Sequence, residues 1–272
     1  MTDVVIGAIV NYGIKEIEPW VVSLERSGFA GDKVMICYDN INNETLNYLT
    51  KKRFEVINAK LQNQNICVDR FRVIEQYLED FGGQYEYVVT TDVKDVIFQS
   101  DPTKNIRAPI VLSSEGIRYM DEPWGHHNFI KSFGEELYQR RMTHRTIFNA
   151  GVLAGYKPHI QTLAGNIYQM CAYRPPYIDG GGGPDQAALN LLVSMYDDDF
   201  TTSIDNDAWA CQAGTTADPS KIEQFRDVLL VKEPNITVSG IVRNHENKPY
   251  SIVHQYDRNP LWKTIIDRKY RE

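Results

Sequence analysis

The sequence predicts an α/β fold, a mixed but mostly parallel sheet flanked by helices in a single domain. Three observations lead there. Strand-length apolar runs alternate with stretches whose apolar residues recur at helical spacing. The strand runs are apolar throughout rather than alternating, as strands covered on both faces are. No linker-like tract divides the 272 residues, a length that buries a sizeable core.

Val4–Val10 is the first buried strand. Ile17, Trp20, Val21 and Leu24 then mark a helix face, with Pro19 near the helix start and Gly28 beyond its end. Lys33–Tyr38 reads as a second strand, Asn43–Lys52 as a short helix and Phe54–Ala59 as a third strand. Asp69–Phe81 is a helix with Phe71, Ile74, Leu78 and Phe81 on one side, and Tyr85–Thr91 is a fourth strand ending on Asp92. The second half is less regular. It offers a strand over Pro109–Ser113, a polar and aromatic segment over Glu115–Phe129 and a helix over Glu135–Met142. A strand over Phe148–Tyr156 and a helix from about Pro158 to Tyr173 follow. The glycine run Gly180–Gly183 leads into a helix near Pro184, and short strands are expected near Val228–Val231 and Ser251–His254. His126 and His127 read as loop residues.

Composition removes several classes of function. A net charge of −7 argues against a broad nucleic-acid-binding face. The longest apolar runs are strand-sized, too short to span a bilayer, and the N-terminus lacks the basic segment of a signal peptide. Cys37, Cys67, Cys171 and Cys211 form no C-x-x-C pair, and reduced thiols in a cytoplasmic protein, with peripheral membrane attachment left open, are the expectation. Gly180–Gly183 lacks the Lys-Ser/Thr of a phosphate loop.

In open α/β sheets ligands sit beyond the carboxyl ends of the strands. That rule gathers Asn11–Gly13, Tyr38–Asn40 and Asp92–Asp95 around one crevice. Val88–Pro102, VVTTDVKDVIFQSDP, is the most informative segment. Two carboxylates at a strand mouth suit Mg²⁺ or Mn²⁺ shared with phosphate oxygens. The competing reading has Asp92 capping a turn while Asp95 pairs with Lys94 or an arginine.

An acidic motif at a strand end followed by Asp-Pro resembles the DxD region of GT-A glycosyltransferases. Three further segments resemble that family in the order its fold uses: FNAGVLAGY at Phe148–Tyr156, GGGGPDQAALN from Gly180, and IVHQYDRNPLW at Ile252–Trp262. The resemblance, to glycogenin-like and related sugar transferases, implies a Rossmann-like GT-A domain. Residues 1–105 would form the nucleotide- and metal-binding half and residues 106–272 the acceptor-binding half. It also implies transfer of a sugar from a nucleotide diphosphate donor, UDP-linked by expectation, to a carbohydrate or other hydroxyl acceptor. The metal ligands implied are Asp92, Asp95 and His254, and a histidine ligand favours Mn²⁺ over Mg²⁺. One departure stands out: the spacing is Asp92-Val93-Lys94-Asp95, one residue longer than Asp-x-Asp. Either Asp95 reaches the ion by a local adjustment, or Asp92 acts beside His254 without it.

Other roles follow from the same likeness. Asn11 and Tyr12 would hold the base, with Asp39 on base or ribose. Arg70 or Arg72 would face the diphosphate or Asp92, anions whose geometry guanidinium matches. Asn149, beside small Ala150 and Gly151, would read sugar hydroxyls, together with Gln186. Asp185 would contact hydroxyls or act as base, with Glu122 and Glu115 as further candidates for proton abstraction. The likeness leans towards a retaining reaction. A nucleotidyltransferase, and a non-catalytic sugar-binding module with a degraded metal site, are the rival readings.

Overall fold

The computed structural model describes residues 1–39, 41–62, 65–104, 106–179, 181–196, 200–203 and 207–271; Asn40 and Gly180 lie outside them. Strand and helix alternate through β1 (Thr2–Val10), α1 (Ile14–Arg26), β2 (Asp32–Tyr38), α2 (Asn43–Lys51), β3 (Glu55–Ala59), α3 (Ile66–Phe81) and β4 (Tyr85–Thr91). Next come β5 (Val96–Phe98), β6 (Ile110–Arg118), α4 (Pro123–Phe133), α5 (Glu135–Arg141), β7 (Thr146–Tyr156), α6 (Lys157–Cys171) and α7 (Asp185–Met195). The remainder is β8 (Phe200–Ser203), β9 (Ala210–Gln212), α8 (Ala213–Thr216), α9 (Pro219–Phe225), β10 (Asn235–Ile236), β11 (Val242–Arg243), β12 (Ile252–His254) and α10 (Pro260–Tyr270).

The main sheet has seven strands in the order β3-β2-β1-β4-β7-β6-β8. Of these, only β7 runs against the rest, pairing antiparallel with both β4 and β6. The other pairings are parallel.

Successive side chains of a strand point to opposite faces, and both faces are covered. Val4, Ile6, Val34, Ile36, Tyr38 and Val88 pack with α3, α6 and α7 on one side. Val5, Ile9, Met35, Cys37 and Val89 pack with α1 on the other. This two-sided burial is why the strands read as unbroken apolar runs. A three-stranded sheet, β5-β12-β9, continues the α1 side.

Gly7 of β1 lies where a Cβ would come within 2.6 Å of Val93 Cγ2. The absent side chain lets buried Val93 anchor the turn that follows β4. Trp20 Nε1 donates to Thr91 Oγ1 at 2.8 Å and fastens α1 to the end of that strand.

Several expectations are corrected. Val228–Val231 forms turn and bend rather than a strand: Val228 and Leu230 are partly exposed, and Leu230 N–H reaches the Gly116 carbonyl. Phe81 is 55% exposed, off the apolar face of α3. Pro19 sits inside α1 rather than at its first turn. His126 and His127 belong to α4, not a loop, and His126 stacks on Tyr138 with centroids 4.3 Å apart. The four cysteines form no disulfide. Among the described residues no helix is long and apolar enough to cross a membrane.

Candidate metal centre and the surrounding cleft

The carboxyl end of β4 delivers Asp92, and the chain turns through Val93 and Lys94 before entering β5. Val93 is buried and Lys94 exposed, so the turn carries the intervening lysine outward and returns Asp95 towards Asp92. The extra residue is therefore absorbed locally. β12 pairs antiparallel with β5, setting His254 opposite Val96, next to Asp95. His254 Nε2 lies 3.4 Å from Asp92 Oδ2 and 3.5 Å from Asp95 Oδ1. Three potential ligand atoms, one from each residue, fall within 4.8 Å of one another.

The donor set fits a divalent cation. Ligand atoms about 2.1 Å from one ion at right angles to each other stand about 3 Å apart, close to the spacing here. His254 Nε2 is buried without a well-formed hydrogen bond, a costly state for a polar atom unless a further partner satisfies it. On its other side, His254 Nδ1 is 2.8 Å from Gln212 Oε1. Gly151 closes against the site: a Cβ there would meet His254 Cε1 at 2.5 Å and Asp92 Oδ2 at 2.7 Å.

Each carboxylate also meets an arginine. Arg70 Nη1 is paired with Asp92 Oδ1, and Arg258 Nη2 lies 3.4 Å from Asp95 Oδ2. Arg70 is buried in α3 and extends further, to the Ala150 carbonyl at 3.1 Å and Asp185 Oδ2 at 3.3 Å. Arg72 turns away to Asp69, so of the two arginines it is Arg70 that faces Asp92. Burial opposes the charged form of Asp92, but Arg70 and His254 outweigh it and hold its carboxyl well below the usual range. Burial likewise disfavours the imidazolium of His254, yet Asp95 and Asp92 pull the ring up to about 9. Burial pushes Asp185 up to about 6, with Arg70 opposing.

Two adjoining cavities share Cys67, Arg70, Asp92 and Arg258 as a common wall. The first, about 220 Å³, is lined by Tyr12, Ile66, Lys94 and Asp95. The second, about 330 Å³, is lined by Trp124, Asn149, Gly151, Gly181–Gly183, Asp185, Gln186 and His254. Beneath the second, Asn149 Nδ2 and Gln186 Nε2 both donate to Glu115 Oε1, at 2.8 and 3.0 Å. Burial raises the pKa of that carboxyl, although the two amides work to lower it.

The structure thus gathers Tyr12, Arg70, Asp92, Asp95, Asn149, Asp185, Gln186 and His254 around one cleft. Asn11 and Asp39 stand at the ends of β1 and β2 but line neither cavity. Glu122 caps α4 instead of facing the cleft: its carboxylate accepts from Gly125 N at 2.5 Å and pairs with Lys221 at 2.8 Å. Sequence reasoning missed Gln212 and Arg258. Arg258 stood four residues after the candidate histidine, a visible basic residue given no role; Gln212 had no signal in the sequence.

Backbone conformation marks the same rim. Asn11, Asp39 and Gln255 all adopt left-handed conformations, with φ of 55°, 59° and 58°. Asn and Asp tolerate that region, whereas glutamine is uncommon there. At Gln255 the backbone N–H donates to the Asp95 carbonyl at 2.7 Å, tying the residue after His254 to the acidic turn.

No protein-family model matches this chain, and a search of curated proteins finds no match.

Proposed function

We propose that the chain is a metal-dependent glycosyltransferase of the GT-A type, using a nucleotide diphosphate sugar, with UDP as the nucleotide and Mn²⁺ as the preferred ion. The observation that carries this reading is the Asp92, Asp95 and His254 cluster, set on the wall between two cavities of unlike chemistry. The first offers an aromatic ring, Tyr12, with Lys94 and Arg258, a set suited to a base and a diphosphate. The second offers amides, a carboxylate and the half-buried indole of Trp124, a set suited to a sugar. A protein of net charge −7 needs local positive charge to hold a diphosphate, and Arg258, 46% exposed at the shared wall, supplies part of it.

A divalent cation bound by Asp92, Asp95 and His254 would neutralise the diphosphate and improve it as a leaving group. The protein's own groups account for the rest. Arg70 holds Asp92 in place and keeps it ionised. Asn149 and Gln186, their amides oriented by Glu115, read hydroxyl groups of the sugar. Asp185, its carboxyl raised to about 6 by burial, is ionised at neutral pH and close to the value suited to accepting a proton. The acceptor hydroxyl attacks the anomeric carbon, the bond to the diphosphate breaks, and the hydroxyl proton passes to a base or to the departing diphosphate.

Calorimetric titration of UDP with and without Mn²⁺, on the wild type and Asp92→Asn, tests the reading. Binding that requires both the ion and Asp92 supports it, and UDP-sugar hydrolysis would then identify the donor. UDP binding indifferent to both would sink the metal-dependent reading in favour of a sugar-binding module.

A further inference from the structure

The small sheet sets a glutamine behind the candidate histidine ligand. β9 pairs parallel with β12 in a register that places Gln212 directly beside His254. Both side chains are buried, at 1% exposure each. The imidazole has two nitrogens, and they face different chemistry: Nε2 looks at the Asp92 and Asp95 carboxylates, while Nδ1 meets Gln212 Oε1 at 2.8 Å. A carbonyl oxygen is only an acceptor, so the Nδ1 atom it touches carries a proton.

We infer that Gln212 is a positioning residue for the metal centre: it keeps the proton on His254 Nδ1, so that a cation displacing the other ring proton meets the Nε2 lone pair aimed between Asp92 and Asp95. This rests on the metal-binding reading of those three residues. A neutral histidine binds a cation through one nitrogen, and a hydrogen bond at the other selects the tautomer and fixes the ring plane. The observations converge on that role. Gln212 touches neither cavity, so it has no direct part in holding a nucleotide or a sugar. Its Oε1 accepts from the ring, yet its Nε2 is buried without a hydrogen bond. A buried amide with one end unsatisfied carries a cost that a leucine or methionine would avoid. The Gln212 backbone is also held, because its carbonyl accepts from Thr216 Oγ1 at 2.8 Å at the start of α8. The oxygen facing His254 is therefore delivered by a fixed segment of chain.

The test compares wild type, Gln212→Glu and Gln212→Met, with Mn²⁺ alone as the probe, titrated by electron paramagnetic resonance. Nitrogen-15 spectra of the histidine ring in the metal-free proteins provide a second readout. Glutamate keeps an acceptor at the same reach, whereas methionine keeps the volume and removes it. The expected result is near wild-type Mn²⁺ affinity for Gln212→Glu and a loss of about 10–100-fold for Gln212→Met. The Nδ1–H signal should stay protected from exchange in wild type and Gln212→Glu and lose that protection in Gln212→Met. Equal losses in both variants would assign Gln212 to packing and overturn the inference. So would unchanged affinity in Gln212→Met, while the wild-type Mn²⁺ binding in that outcome would leave the metal reading standing. Failure of the wild type to bind Mn²⁺, with or without UDP, would remove the metal reading itself and the inference with it.

Discussion

Replacing Gly151 by alanine adds one methyl group at the point where β7 touches the candidate metal centre. That Cβ would lie 2.5 Å from His254 Cε1, 2.7 Å from Asp92 Oδ2 and 2.8 Å from Asn149 Oδ1. Ordinary contact begins at about 3.4 Å, so the three groups must retreat by about 0.6–0.9 Å. The backbone gives no relief, because Gly151 carbonyl accepts from Asp92 N–H at 2.8 Å and its own N–H donates to Asn149 Oδ1 at 2.7 Å. Functional constellations tolerate displacements of about 0.5 Å, so the cluster should open beyond its working range. The expected result is a stability loss of about 1–3 kcal/mol, typical of overpacking, with Mn²⁺ affinity reduced about 10–100-fold, the range for a displaced ligand shell. Urea denaturation reads the first quantity and paramagnetic resonance titration the second. A Gly151→Ala protein that binds Mn²⁺ with wild-type affinity would refute the geometry ascribed to the site.

Removing Arg70 as Arg70→Ala strips the shared cation from Asp92 and Asp185; a destabilisation of about 3–5 kcal/mol is expected, measured by denaturant midpoint, and a cost below 1 kcal/mol would count against the buried network. Asp185 ionises at about 6 in the fold against an ordinary 3.8, so its contribution is fully present below about pH 4 and is lost as pH rises through 6. Between those limits wild type should lose about 3 kcal/mol relative to Asp185→Asn, and parallel stability curves for the two proteins would contradict this. Glu122→Ala should cost about 1–2 kcal/mol through the lost cap of α4 while leaving Mn²⁺ and UDP affinity at wild-type values; a specific loss of either affinity would return Glu122 to the site.

The parallel half of the fold was legible because its strands are covered twice. Val4–Val10 and Lys33–Tyr38 could be read as unbroken runs, with Asp92 waiting at the end of the strand beside them. Asp92 and Asp95 were legible from their place at a strand mouth, whereas His254 joined them only through a likeness in the order of segments. No local rule connects residues so far apart in the chain, and the three-residue strands that join them carry almost no periodic signal. Gln212 was invisible for the same reason: its importance lies in a strand register. Glu122 carries two signals at once. An acidic residue directly before Pro123 is a helix-start signature, and in the structure its carboxylate caps α4. The turn between Asp92 and Asp95 was ambiguous because spacing alone does not say which side chain of a turn faces inward. The buried Val93 beside Gly7 decides it.

The position of β12 has a bearing on how the protein assembles. It lies between β5 and β9 and pairs with both; without it, each would lose the neighbour it pairs with in that sheet. β12 is also remote along the chain from β5 and the acidic turn that it joins. This closing strand joins β5 to β9 and brings His254 to the two aspartates. Any ion that binds all three residues will hold that closing strand in place, so protection of residues 252–254 from hydrogen exchange should rise on Mn²⁺ addition more than protection of the parallel strands.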